Sequence, residues 1–331
     1  MPTKIVLIFV MFFTLTSCNG QNNDSAKYIQ AEPLHINRFD KDLFSLIEQE
    51  NSSSETMFKQ TYSNMLNTLG QGILNTKDTE NPAFLDKLIN FYSEPSLKKL
   101  YSDALAKYTQ VDLIEKQLGT GFAYLKNNFP FMQIPAIYMH ISGLNQNVLV
   151  SDSLLSISID KYMGEDYPLY QDFFYDYQLR KMLPELIVPD FLAGWLISEF
   201  PFEGKENVLL DRMIYEGKIK YIVLHAISEI SIRTLMGYTD PQEKWCLDHE
   251  KNLWKEIISR KHLYTPDHVT TNRYFEDAPC TFLTLEAPGN IGTWIGWQII
   301  NAYMKETGST PEMLMKNTNY QEILTQSKYK P

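Results

Sequence analysis

Six histidines are the first place to look for metal or acid–base chemistry: His35, His140, His225, His249, His262 and His268. None stands four residues from another. A peptidase zinc held on a helix needs two imidazoles at i and i+4, so that both project from one face. It also needs a Glu beside the first His as base and a third ligand from the following helix. His249-Glu250-Lys251-Asn252-Leu253 opens that motif and fails at Leu253. His262 and His268 lie six apart with Pro266 between them, a poor chelate. The chain has no Gly-x-Ser-x-Gly elbow, phosphate loop or dinucleotide fingerprint. The glycines of Pro288-Gly289-Asn290-Ile291-Gly292-Thr293-Trp294-Ile295-Gly296 fit neither nucleotide motif, and close helix packing explains Gly292 and Gly296 better. Carboxylates are plentiful, but sequence does not set two distant ones at a glycosidase separation. The residues therefore name no catalytic group, no metal ligand and no cofactor.

Two stretches do suggest chemistry. Lys4, the apolar run Ile5 to Leu15 and Leu15-Thr16-Ser17-Cys18 form a bacterial lipobox, with Cys18 as the lipidated residue. The apolar run is too short for a permanent span, which takes roughly 20 residues. Several acyl chains on one cysteine anchor a body firmly to a membrane. The second stretch is turn-rich and aromatic. Tyr167, Tyr170 and Phe173 are a candidate ledge for peptide or glycan, although rings stapling a loop to the core are the preferred reading. Cys246 and Cys280 remain. An envelope compartment would permit a bridge, and isolated buried thiols are expected.

The elements that would position these residues follow from periodicity. Residues 1–17 read as the signal peptide, 18–31 as a polar tether and 32–331 as one domain. His35 to Asp40 suggests an extended opening. Helical spacing then dominates from Asp42 to Asn127, with one helix expected over Glu55 to Leu69 and another carrying Ile114, Leu118, Phe122 and Leu125 on one face. The period changes at Ile134 to Ile141, Asn147 to Val150 and Leu154 to Asp160, which predict a small antiparallel sheet. Alternation in Ile157-Ser158-Ile159-Asp160 predicts one buried and one wetter face. A central helix pair follows. Pro189-Asp190 opens the first helix and Phe200-Pro201 closes it. Leu209 to Met236 reads as one long second helix, in which Gly217 permits close approach of a neighbour. Over 331 residues the net charge is -10, without a long basic run, which excludes nucleic acid as a partner.

Phe129-Pro130, Ile141-Ser142-Gly143, Asp160-Lys161-Tyr162-Met163-Gly164, Ile187-Val188-Pro189-Asp190 and the stretch Pro288-Gly289 through Ile299 occur in that order, closed by Ile323 to Tyr329. In this the chain resembles the gliding-motility lipoprotein family typified by GldB. The resemblance implies an envelope lipoprotein of the gliding or type IX secretion machinery, lipid-anchored to the inner or outer membrane, with its body in the periplasm and an envelope complex as partner. That family is in turn similar to zincin-like peptidases. The expected fold is therefore α+β: a mainly helical zincin-like domain with the small antiparallel sheet beside the helix pair. Gly194-Trp195-Leu196-Ile197-Ser198 falls where the peptidases carry their His-Glu-x-x-His, and Glu216-Gly217 where their third ligand lies. Trp195, Ser198 and Glu216 are then the remnant of a metal site or groove, with Trp195 filling the vacated space. The function implied is non-catalytic. The alternatives are an active metallopeptidase with an atypical site and a peptide- or glycan-binding lipoprotein.

Overall fold

The computed structural model describes residues 31–331 except 50, 51, 77, 80 and 82. The leader, Cys18 and the tether up to residue 30 lie outside the described residues.

Among the described residues four strands form one sheet: β1 (Ile36–Asn37), β2 (Ala136–His140), β3 (Val148–Ser151) and β4 (Leu154–Ser158). Their order is β1-β2-β4-β3. β1 with β2 and β2 with β4 run parallel, and only β3 with β4 is antiparallel. The sheet is therefore mixed, not the antiparallel sheet that the spacing predicts. Short turns between strands suggest hairpins, and that logic holds only for β3 and β4. After β2 the chain passes to the outer edge, lays down β3 and turns back at Asp152-Ser153. β4 then enters between β3 and β2. All five of its residues are buried, as a strand covered on both faces must be. Ser156, Ser158 and Asp160 are wholly buried as well, so the side of Ile157 to Asp160 that alternation marks as wetter is an internal polar network.

Helices surround this sheet. The N-terminal set is α1 (Phe39–Gln49), α2 (Ser52–Thr61), α3 (Ser63–Gly72), α4 (Ala83–Tyr92), α5 (Pro95–Lys107) and α6 (Asp112–Asn128). The helix expected over Glu55 to Leu69 is broken at Tyr62, whose φ of -113° and ψ of 23° leave the helical well. Two short helices follow β4: α7 (Pro168–Gln171) and α8 (Asp176–Leu179). Then come α9 (Ile187–Glu199), α10 (Leu209–Ala226), α11 (Ile232–Met236), α12 (Asp240–Ser259), α13 (His268–Arg273), α14 (Ile291–Thr307), α15 (Pro311–Lys316) and α16 (Tyr320–Ser327).

α9 packs on β3 and β4, where a side chain at Gly194 would press on Val148 at 2.8 Å. Leu149, opposite in phase to Val148, meets α3 at Gly72. The sheet is thus covered by α9 on one face and by the N-terminal helices on the other. α10 is shorter than predicted. It ends at Ala226, and Ser231 caps α11 by accepting the Thr234 N–H at 3.1 Å.

The tightest helix pair is also not the expected one. α10 packs most extensively against α14, while α9 packs on the sheet and, to a similar extent, on α6 and α10. Glycine is the cause. A Cβ at Gly217 would lie 2.3 Å from the Gly296 carbonyl carbon, and one at Gly296 would lie 1.8 Å from the Met213 oxygen. Both glycines therefore do what the sequence suggested, against each other. Buried side chains from Ile36 to Ile323 form one continuous core.

Candidate functional site

Asp160 organises the most distinctive surface. It is wholly buried just after β4. Its carboxylate accepts the Ser142 N–H at 3.0 Å, the Leu144 N–H at 2.7 Å and the Ser158 hydroxyl. These bonds fix the loop after β2 in a costly shape, with Gly143 at φ 68° and Leu144 at φ 65°. A left-handed leucine costs on the order of 1–2 kcal/mol, and the two backbone hydrogen bonds to Asp160, at about 1 kcal/mol each, offset that. Burial raises the Asp160 carboxyl, against these bonds, which lower it. Lys161 closes the arrangement. Its Nζ donates to the Leu144 carbonyl at 3.2 Å and lies 4.9 Å from the Phe174 ring centre. Tyr170 braces it from behind, donating to the Asp160 carbonyl and accepting the Met163 N–H at 3.0 Å.

The fixed loop forms one wall of an apolar groove of about 600 Å³. Leu97 of α5 packs against Gly143; Leu100, Leu169, Phe173 and Phe174 line the groove further, and Glu94 and Ser96 lie among them. A second depression of about 360 Å³ continues past Leu100 and Leu169 to Lys99, Asp103, Tyr167 and Asp172. The three ledge residues fall differently here. Phe173 is 66% exposed and lines the groove. Tyr167 is half-buried and donates to Asp103 at 2.9 Å in the second depression. Tyr170 is fully buried and holds the loop from inside. Apolar walls with a few polar groups at the rim suit a docked side chain or small ligand.

The three residues of the α9–α10 region have separate surroundings. Trp195 is buried, its indole N–H donating to the Gln133 carbonyl at 3.1 Å. Ser198 is exposed and Glu216 half-buried. No hydrogen bond joins them. Among the described residues no three His, Cys, Asp or Glu side chains gather as a metal site. His249 is half-buried and stacks on Trp245, with ring centres 4.4 Å apart. Cys246 and Cys280 are buried free thiols, and burial pushes each up to about 12.

A polar cluster nearby escapes sequence reasoning. Tyr162 donates to Asp190 on α9 at 2.6 Å. Burial raises the Asp190 carboxyl, against the Tyr162 hydrogen bond and the charges of Lys220 and Lys181, which lower it. Burial also lowers Lys220, whose Nζ donates to the Leu235 carbonyl at 3.3 Å. Perturbed groups gathered this way can bind or move protons. In sequence Asp190 reads as a helix opener and Tyr162 as a turn aromatic. The only pointer to their meeting is that both belong to stretches shared with the resembled family.

No helix among the described residues is long and apolar enough to cross a membrane. No curated protein and no solved structure matches the chain. Residues 19–331 match the family model for the gliding motility protein GldB, and the chain belongs to that lipoprotein family.

Proposed function

We propose that this lipoprotein is a non-catalytic envelope component that supports gliding motility or type IX secretion by holding a partner polypeptide at the groove beside Gly143 and Leu144. In this reading Cys18 carries the lipid, residues 18–31 are the tether, and 32–331 act as one zincin-like domain in which α9 and α10 stand where a peptidase would hold its metal. One observation supports it above others. The Asp160 carboxylate takes two backbone N–H groups of a loop whose leucine is left-handed, so the groove wall is set before any partner arrives. Preorganisation of that kind lowers the ordering cost of binding.

The test is allele replacement in the native host. Deletion is expected to abolish gliding or surface export, and Glu216→Gln is expected to restore both to within about twofold, since removing only a charge at a non-catalytic position is nearly neutral. Loss of function with Glu216→Gln at normal protein level would return the active-peptidase alternative, which stoichiometric metal in the purified protein would also favour. A second reading, uptake of a peptide or glycan, draws on the exposure of Phe173 at the groove. It predicts that Tyr167→Ala weakens ligand capture while leaving export intact.

A further inference from the structure

Among the described residues β3 ends the sheet on one side, and no strand pairs with its outer edge. Leu149 pairs with Ser156 and Ser151 with Leu154, and the Ser158 N–H donates to the Asn147 carbonyl at 2.8 Å. In an antiparallel ladder the residues that exchange both bonds alternate with residues that face away. Residues 147, 149 and 151 therefore bond to β4. The N–H and C=O groups of Val148 and Val150 point outward, and among the described residues none of them has a hydrogen-bond partner. The opposite edge is closed. There the Ile36 N–H of β1 donates to the Glu115 carboxylate at 2.9 Å, and the Leu34 N–H to the Glu115 carbonyl at 2.9 Å. Sheets blunt exposed edges with lysine, proline or a bulge, and Asn147-Val148-Leu149-Val150-Ser151 has none of these.

A cleft of about 510 Å³ runs beside this edge. One wall is residues 149–153. The other is Asn64, Asn67, Thr68 and Gln71 of α3, whose spacing of three, one and three sets them on one helix face. Asp152, at the turn, is the one charged residue among those lining it.

We propose that β3 accepts an extended segment of a partner polypeptide as a fifth strand, its main chain bonded to Val148 and Val150. The ladder specifies the occupant, because only an extended peptide repeats a donor and an acceptor every second residue. A glycan or acyl chain does not. The walls specify its side chains. Alternate residues enter the amide-lined cleft and are polar and not acidic, since an anion there would lie beside Asp152 with no cation among the lining residues. The others lie beside Val148 and Val150 and are apolar. This strand slot is separate from the groove at Leu144 and does not depend on the role given to that groove.

The probe is an end-blocked peptide of alternating Thr and Val, closed by Lys at both ends, added to the lipidated chain in detergent. Saturation should slow hydrogen exchange at the Val148 and Val150 amides at least tenfold, while Leu149 and Ser151 are slow beforehand. Val150→Pro removes an outward N–H and no bond to β4, as edge strands tolerate. It should leave the melting temperature within a few degrees and weaken binding about tenfold. The same peptide N-methylated at the amides facing β3 should not bind wild type, a control independent of how the variant folds. Equal binding of the methylated peptide would overturn the proposal. So would unaltered exchange at saturation, outward amides already protected in the free chain, or self-association of the chain through β3.

Discussion

His140 sits wholly buried on β2 with Nδ1 2.8 Å from the Ser156 hydroxyl, and its Nε2 has no partner among the described residues. Burial pushes its pKa from 6.5 down to about 3. Between those values the unfolded chain holds a proton that the folded chain does not, so acidification draws the equilibrium toward unfolding. The loss attributable to this one residue by pH 5 is about 2 kcal/mol. His140→Gln lacks the titration. Its stability deficit relative to wild type, read from denaturant midpoints, should therefore shrink by about 2 kcal/mol between pH 7 and pH 5. A deficit that stays constant over that range would mean that the folded imidazole takes up its proton at the same pH as the unfolded one. Residue types made the absence of paired imidazoles readable from the start. They did not disclose the Asp160 clamp, because its partners are backbone N–H groups eighteen and sixteen positions upstream.

At the scale of elements, α10 and α14 cross where Gly217 faces Gly296. Gly296→Ala would place a methyl group 1.8 Å from the Met213 carbonyl oxygen, and backbone cannot yield as a flexible side chain does. The variant should lose about 2–3 kcal/mol, seen as a lower denaturant midpoint at unchanged slope. A change below about 0.5 kcal/mol, the usual scale of a surface substitution, would show that the helices are not in contact there. The glycines were legible as packing sites, because a helix interior tolerates Gly at a cost of up to roughly 1 kcal/mol only for a reason. Their partners were not, since the close approach joins residues 79 apart. Strand sense failed for a related cause. Turn residues report a hairpin locally, but they do not say which strand the returning one will lie beside. The end of α10 was signalled only by Ser231, a cap masked by the apolar residues around it.

The whole molecule is an acidic body with net charge -10, in a family of lipoproteins, with no membrane-crossing helix among its described residues. In the role proposed above, such a body meets its partner by shape and hydrogen bonding more than by phosphate attraction. Family and α+β class were readable because ordered short motifs and periodicity survive without three-dimensional knowledge. The groove was half-readable. Phe173 and Tyr167 were marked by their type, while Leu97, Leu100 and Leu144 arrive from distant segments and look like ordinary core. The central claim is that docking at this groove carries the function. The measurement that addresses it most directly is gliding speed and surface export in the native host after replacement of the chromosomal gene by Leu97→Ser, Phe173→Glu. The variant should reach the membrane at wild-type level and fold, yet reduce both readouts nearly to those of the deletion. Wild-type gliding and export with this groove disrupted would contradict the account.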